Sequence, residues 1–223
     1  MTKFSDPSLA AGWGYPILLV VLLGTFAVQP WADHTVIGTT FVRLTYSSVL
    51  IGALIVLSRH RLLVAVGILL TVPATILGNL AGAASDGRGV LGNGLALVFL
   101  LIVIVLLLRD VFKHPVVTVR TISGAICVFL LIGLAWIFMY DIADWFAPNA
   151  FDGLSARGGA LRPSELFYFS FVTLTTLGYG DITPIRPETM SLATLEAVVG
   201  QLYLVVLIAT LVGRRAETSS GNC

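Results

Sequence analysis

The 223-residue chain is 57% hydrophobic and only 11% charged, against about 25% charged residues in ordinary soluble domains, which excludes a soluble globular protein and indicates an integral membrane protein. Its net charge of +1, with no long basic or acidic run, gives no argument for nucleic acid or an acidic partner. Of the two cysteines, Cys127 lies in an apolar segment and Cys223 is the last residue, so no structural bridge is suggested.

Crossing a hydrocarbon core of ~30 Å takes roughly 20 mostly apolar helical residues, because a helix satisfies its own backbone in lipid. In chain order the expected spans are residues 15–31, which is marginal, then 39–57, 62–84, 90–108, 121–140 and 189–212. A shorter apolar run at 166–174 cannot cross and fits a re-entrant helix. The expected fold is therefore an all-α integral membrane protein with six spans and one re-entrant element.

Basic residues favour the cytoplasmic side of a membrane. With an inside N-terminus, that side holds Lys3, Arg59, Arg61, Arg109, Lys113, Arg120, Arg214 and Arg215, and the other holds Arg43, Arg88, Arg157, Arg162 and Arg186. Both termini are then cytoplasmic. The marginal first span has a competitor, a cleaved signal peptide over residues 1–31, but no small-x-small cleavage pattern follows its apolar middle, and a retained helix is expected.

No internal repeat divides the chain. Residues 1–108 form a four-span part, and 109–120, "RDVFKHPVVTVR" with Pro115, reads as an interfacial connector helix. Residues 121–215 hold the last two spans and the re-entrant element, followed by a short polar tail at 216–223 with no cytoplasmic ligand-binding domain expected.

One stretch differs from its greasy surroundings: "TLTTLGYGDITP", residues 173–184. Non-helical backbone at membrane depth is tolerated only where protein buries it or where it lines a watery path. Gly178 and Gly180 adopt positive φ cheaply, so successive peptide units can turn their carbonyls to one side. Such a row replaces the hydration shell of a monovalent cation. The Thr176 hydroxyl can extend it inward, while Leu177 and Tyr179 face away and pack against surrounding helices.

The string "TTLGYGD" resembles the selectivity-filter signature of potassium channels. The resemblance covers about residues 121–215 and implies an outer helix (121–140), a turret (141–163), a pore helix (163–175), a filter and an inner helix (189–212). It further implies K+ as the permeant ion, bound at Thr176, Leu177, Gly178 and Tyr179, with Gly180 completing the filter and Asp181 at the outer mouth. One signature per chain implies a homotetramer embedded in membrane lipids, and the composition suggests a bacterial inner membrane.

Two departures from the family pattern concern that mouth. No acidic residue stands at Phe171, Val172 or Thr173 to meet Asp181, and Tyr168-Phe169 replaces the tryptophan pair found in many members. Phe169 has no N–H to offer Asp181, so a differently braced outer mouth is expected.

In the last span, Gly200 stands 20 residues after Gly180 and resembles a hinge glycine, although small residues in membrane helices also serve close packing. Gln201, Leu204, Ile208 and Val212 follow at helical spacing and can line a cavity and a constriction that closes by dewetting. Glu196 is the one carboxylate inside this span. It reads either as a pH- or cation-sensitive group or, preferably, as a structural acid bonded behind the filter to pore-helix hydroxyls or backbone. Arg214 and Arg215 suit snorkelling to the inner headgroups.

Six spans with the pore last resembles voltage-gated potassium channels in layout. The fourth span, however, has no Arg or Lys at every third position, and Arg109 alone marks its inner end. Each gating charge supplies about 2.3 kcal/mol per 100 mV, so steep voltage gating is not expected. Arg43 snorkels outward or pairs with Asp33 or Asp86, and Asn79 and Asn93 suit helix–helix hydrogen bonds.

An enzyme is poorly supported, because His34, His60 and His114 are scattered and no nucleophile–base or metal-ligand cluster forms. A weakly selective cation channel, a potassium-uptake transporter subunit and a non-conducting scaffold are the rival functions.

Overall fold

The computed structural model describes residues 7–28, 47–53, 61–80, 87–113, 118–154 and 163–220. These are mostly helical: α1 (Pro7–Val28), α2 (47–53), α3 (Arg61–Leu80), α4 (Gly87–Lys113), α5 (Val119–Phe146), α6 (Pro163–Leu174) and α7 (Pro187–Ser220). The two short strands are β1 (Phe151–Asp152) and β2 (Thr183–Pro184).

Among the described residues three helices are long and apolar enough to cross a membrane, over Gly87–Lys113, Val119–Phe146 and Pro187–Gly213. The apolar stretches described in α1 and α3, Gly14–Ala27 and Leu62–Gly78, are shorter. Of the expected second span, 39–57, only the helical residues 47–53 are described, and Arg43 lies outside them.

Helix α5 is the centre of the bundle and packs against α1, α4, α6 and α7. A capping box starts it: the Thr118 hydroxyl accepts from the Thr121 N–H at 3.3 Å, and the Thr118 N–H donates to Thr121 Oγ1 at 3.4 Å. Two donors orphaned at a helix start are thereby satisfied. Within its apolar window 72% of the residues are buried by the rest of the chain, against 11% for α7.

Three boundaries differ from the sequence reading. Helix α4 continues through Lys113 and α5 begins at Val119, so 109–113 and 119–120 belong to the flanking helices and not to a separate connector helix. Charged residues change where a helix sits in the membrane but do not end it. Helix α5 also runs on to Phe146, into the expected turret, and α7 runs on to Ser220, into the expected tail.

The short helix α6 starts with Pro163, whose missing N–H costs nothing at a first helical position, and carries Glu165 in its first turn, where the helix dipole favours an acid. Helix α7 repeats the device with Pro187 and Glu188.

At the other end of α5, Tyr15 of α1 donates to Asp110 Oδ2 of α4, Arg120 lies 3.3 Å from the same oxygen, and its guanidinium stands 5.0 Å from the Tyr15 ring centre. The Cys127 thiol lies 3.6 Å from the Tyr15 carbonyl oxygen. Helix α1 is therefore fastened to α4 and α5 by polar contacts as well as by apolar packing.

Candidate functional site

The loop after α6 departs from the helix in a regular way. The Thr176 N–H donates to the Thr173 carbonyl at 2.9 Å, and the N–H groups of Leu177 and Gly178 both reach the Val172 carbonyl, at 2.9 and 3.3 Å. The orphan carbonyls of Val172 and Thr173 at the C-terminal end of α6 are thus satisfied by the loop itself. Thr176, Gly178 and Gly180 have φ of 58°, 59° and 78°, whereas the intervening Leu177 and Tyr179 do not have positive φ.

Left-handed backbone at alternate residues turns successive peptide units to a common side. The first amides of the loop are turned onto α6, and no described backbone N–H outside the regular elements donates to a carbonyl between Thr176 and Gly180. Carbonyl oxygens are the groups left for a ligand. Space does not explain the glycines, since a Cβ at Gly178 or Gly180 meets nothing within 4 Å in the single chain. The backbone conformation does.

For Thr176, expected from the sequence as an oxygen ligand, the left-handed backbone is what sequence reasoning missed. A side chain in the left-handed region costs about 1–2 kcal/mol, and here it places a hydroxyl next to the row. Gln201 of α7 donates its amide N–H to Thr176 Oγ1 at 3.1 Å. Leu177 and Tyr179 are exposed in the single chain, and the Tyr179 ring stacks on Tyr168 at 6.3 Å with planes 3° apart.

Asp181 is braced, though not by the residue the sequence drew attention to. The Tyr168 phenol donates to Asp181 Oδ2 at 2.8 Å, doing what Phe169 cannot. That bond to Asp181 pushes the phenol up to about 12. Phe169 instead turns inward, 5.1 Å from the Tyr140 ring and 5.2 Å from that of Phe151.

Phe151 belongs to β1, which pairs antiparallel with β2 directly after the loop: Phe151 faces Pro184 and Asp152 faces Thr183. The Ile185 N–H and the Thr189 hydroxyl both reach the Ala150 carbonyl, at 2.9 and 3.1 Å. Gly153, with φ of 82°, lies so close that a Cβ would stand 1.9 Å from the Asp181 carbonyl oxygen. The segment after α5 therefore clamps the segment after Gly180.

Behind the loop, Glu196 is fully buried. Tyr140 of α5 donates to its Oε2 at 2.5 Å, and Ser170 Oγ of α6 lies 2.6 Å from its Oε1 and 2.9 Å from the Gly133 carbonyl oxygen of α5. One turn further on, Gly200 approaches the end of α6 so closely that a Cβ would meet the Leu174 carbonyl oxygen at 2.3 Å. This close approach accounts for glycine there, and α7 runs through it without interruption. Gly133 plays the same part opposite Phe171, whose ring would be 2.6 Å from an added Cβ.

Phe171 and Phe167 also meet Phe26 of α1, edge to face, at 4.6 and 4.8 Å. No sequence pattern singled out Phe26. On α7, Tyr203 faces inward and donates to the Ala125 carbonyl at 2.6 Å, while Gln201, Ile208 and Val212 are exposed and Leu204 is half-buried. Asn93 donates to Asp141 across α4 and α5. The side chains of Asn79, Arg214 and Arg215, and all of His34, His60, His114, Asp33 and Asp86, lie outside the described residues. Among the described residues no three His, Cys, Asp or Glu side chains gather as a metal site.

The loop thus combines left-handed backbone at alternate residues with a buried acid behind it and a clamp after Gly180. Residues 125–215 match the family described as Ion channel. That match takes in α5 from Ala125, α6, the loop and α7, and it is to a channel family and not to an enzyme. The chain is also 37% identical over 67 residues to the inward rectifier potassium channel Kirbac3.1 of Paramagnetospirillum magnetotacticum, a similarity covering 30% of this chain and 22% of that protein. The chain thus spans about a fifth of the length of the curated relative it matches. No solved structure matches significantly.

Proposed function

We propose that this chain is one subunit of a potassium-selective channel in which four copies surround a common axis, each contributing the strand Thr176 to Gly180. The observation that carries this reading is the alternation of left-handed backbone at Thr176, Gly178 and Gly180, with the first amides turned back onto α6. Such a strand offers oxygen ligands at intervals and no side-chain charge, which suits a monovalent cation that exchanges water for carbonyls. The ion sits at the carbonyls of Thr176, Leu177, Gly178 and Tyr179, with the Thr176 hydroxyl innermost and Asp181 outside.

Two further features support several copies around an axis. A strand with open carbonyls at membrane depth must line a cavity, and one chain encloses it on one side only. Helix α7 keeps Leu202, Val205, Val206, Ile208 and Val212 exposed, an apolar surface long enough for neighbouring subunits and for a gate at Leu204, Ile208 and Val212 that closes by dewetting. The relative's name, an inward rectifier potassium channel, agrees with K+ as the permeant ion. The basic-residue count favours both termini on the cytoplasmic side, the composition suggests a bacterial inner membrane, and α4, with Arg109 at its inner end, supplies no row of gating charges.

The test is the purified full chain in planar bilayers with unequal K+ and Na+. A reversal potential that follows the K+ gradient supports the reading, and one that ignores it overturns selectivity in favour of a weakly selective cation pore. Gly178→Ala, which forces a Cβ into a φ of 59°, is expected to abolish or degrade K+ preference. Crosslinking that stops at a dimer overturns the tetramer.

A further inference from the structure

A buried carboxyl normally meets a cation, a metal or several donors. Glu196 meets two hydroxyls: Tyr140 from α5, at 2.5 Å from Oε2, and Ser170 from α6, at 2.6 Å from Oε1. Both hydroxyl-bearing residues are themselves fully buried. An ion pair, Arg120 with Asp110, lies elsewhere.

Counting protons decides the direction of each bond. Ser170 Oγ lies within bonding distance of both Glu196 Oε1 and the Gly133 carbonyl oxygen, the latter at 2.9 Å. A hydroxyl carries one proton, and a carbonyl oxygen only accepts. With Glu196 ionised, one of the two contacts lacks a proton and a carboxylate is buried with no cation. With Glu196 neutral, Tyr140 donates to Oε2, the acid donates from Oε1 to Ser170, and Ser170 donates to Gly133, so every close contact holds one proton.

We propose that Glu196 is a positioning residue of the filter: as a neutral acid it closes a one-way chain of hydrogen bonds, from Tyr140 through Glu196 and Ser170 to the Gly133 carbonyl. The chain fastens α6 at mid-length to α5 at two points two helical turns apart and to α7 between them. Ser170 stands one and a half turns before the strand that begins at Thr176, so its anchorage sets where that strand starts. Any movement of α7 at Glu196 is transmitted to α6 through a hydrogen bond and not through apolar contact alone. This inference rests on the conducting role proposed above.

The experiment has two readouts on the full chain in lipid. The first is infrared spectroscopy of the wild type against Glu196→Gln at neutral pH. A protonated-carboxyl band that disappears in E196Q is expected, and a difference spectrum showing only a carboxylate overturns the proposal whether or not the protein conducts. The second is conducting lifetime in bilayers. The glutamine amide donates to Ser170 and accepts from Tyr140 as the neutral acid does, so E196Q should keep the wild-type lifetime, while Glu196→Ala should shorten it roughly tenfold, the worth of about one lost hydrogen bond.

Equal damage from E196Q and E196A overturns the proposal. Should E196A fail to assemble, Ser170→Ala and Tyr140→Phe leave the carboxyl in place and should each shift the infrared band; a band indifferent to both also overturns it. Wild-type protein that shows the band but carries no current supports the hydrogen-bond chain and overturns the conducting role.

Discussion

Replacing Gly200 by alanine separates two demands that glycine meets in a membrane helix. A Cβ at this position would lie 2.3 Å from the Leu174 carbonyl oxygen and 3.0 Å from Leu174 Cδ1, where ordinary contact begins at 3.4 Å. The obstacle is backbone, which no rotamer relieves, so α7 and the end of α6 must part by about 1 Å. Overpacking of this kind costs about 1–3 kcal/mol, partly offset by the better helix propensity of alanine, about 1 kcal/mol. A net loss of up to about 2 kcal/mol per chain is expected. Because Leu174 is two residues before Thr176, the displacement reaches the strand, and K+ over Na+ discrimination should fall together with thermal stability. The measurement is the melting temperature of the purified protein in detergent, paired with the bilayer reversal potential. Gly94→Ala in α4, where an added Cβ meets nothing within 4 Å in the chain, is the control and should leave both readouts unchanged or slightly raise stability. If G200A melts and selects like the wild type, the close approach is not a constraint and the glycine serves flexibility instead.

Three other substitutions test the surroundings of the loop. Tyr168→Phe keeps the ring that stacks on Tyr179 and removes only the hydroxyl bonded to Asp181; sustained current should decay faster with selectivity retained, and an unchanged decay refutes the brace. Gly153→Ala combines a φ of 82° with a Cβ 1.9 Å from the Asp181 carbonyl oxygen, so a loss of about 2–5 kcal/mol is expected from backbone strain plus overpacking, read by thermal unfolding. Phe26→Ala removes two edge-to-face contacts with α6, at 4.6 and 4.8 Å. At about 0.5–1.5 kcal/mol per aromatic pair, it should destabilise the protein by about 1–3 kcal/mol, and a neutral melting curve would show that α1 packs on α6 without supporting it.

The long apolar helices and the loop were legible because their signals are local. A run of apolar residues and a pair of glycines state their requirements without reference to the rest of the chain. Apart from the hydrogen bonds of Glu196 and Asn93, contacts between distant segments were not legible. The strands Phe151–Asp152 and Thr183–Pro184 are two residues each, too short to show an alternating pattern, and nothing in "AFDG" or "DITP" announces the other as its partner.

The brace on Asp181 was missed for a reason of helix geometry. Neighbouring residues on a helix point about 100° apart, so Tyr168 reaches the mouth while Phe169 enters the aromatic cluster with Tyr140 and Phe151. Residue type alone does not say which of the two faces outward. The left-handed Thr176 was hidden because a β-branched residue is a poor candidate for positive φ. The continuation of α4 through Lys113 was hidden because the expected span stops at the charged pair Arg109-Asp110, although the sequence has no helix breaker before Pro115.

The contact of Phe26 with Phe167 and Phe171 bears on where this chain can be divided. The segment that matches the channel family begins at residue 125, inside α5 and after the helix that covers those rings. Cutting there strips one wall from α6 and also removes Tyr15, whose carbonyl oxygen lies 3.6 Å from the Cys127 thiol. A protein divided at residue 125 is therefore expected to melt below the full chain, and a surrogate for α1 that carries an aromatic ring in place of Phe26 is expected to restore it.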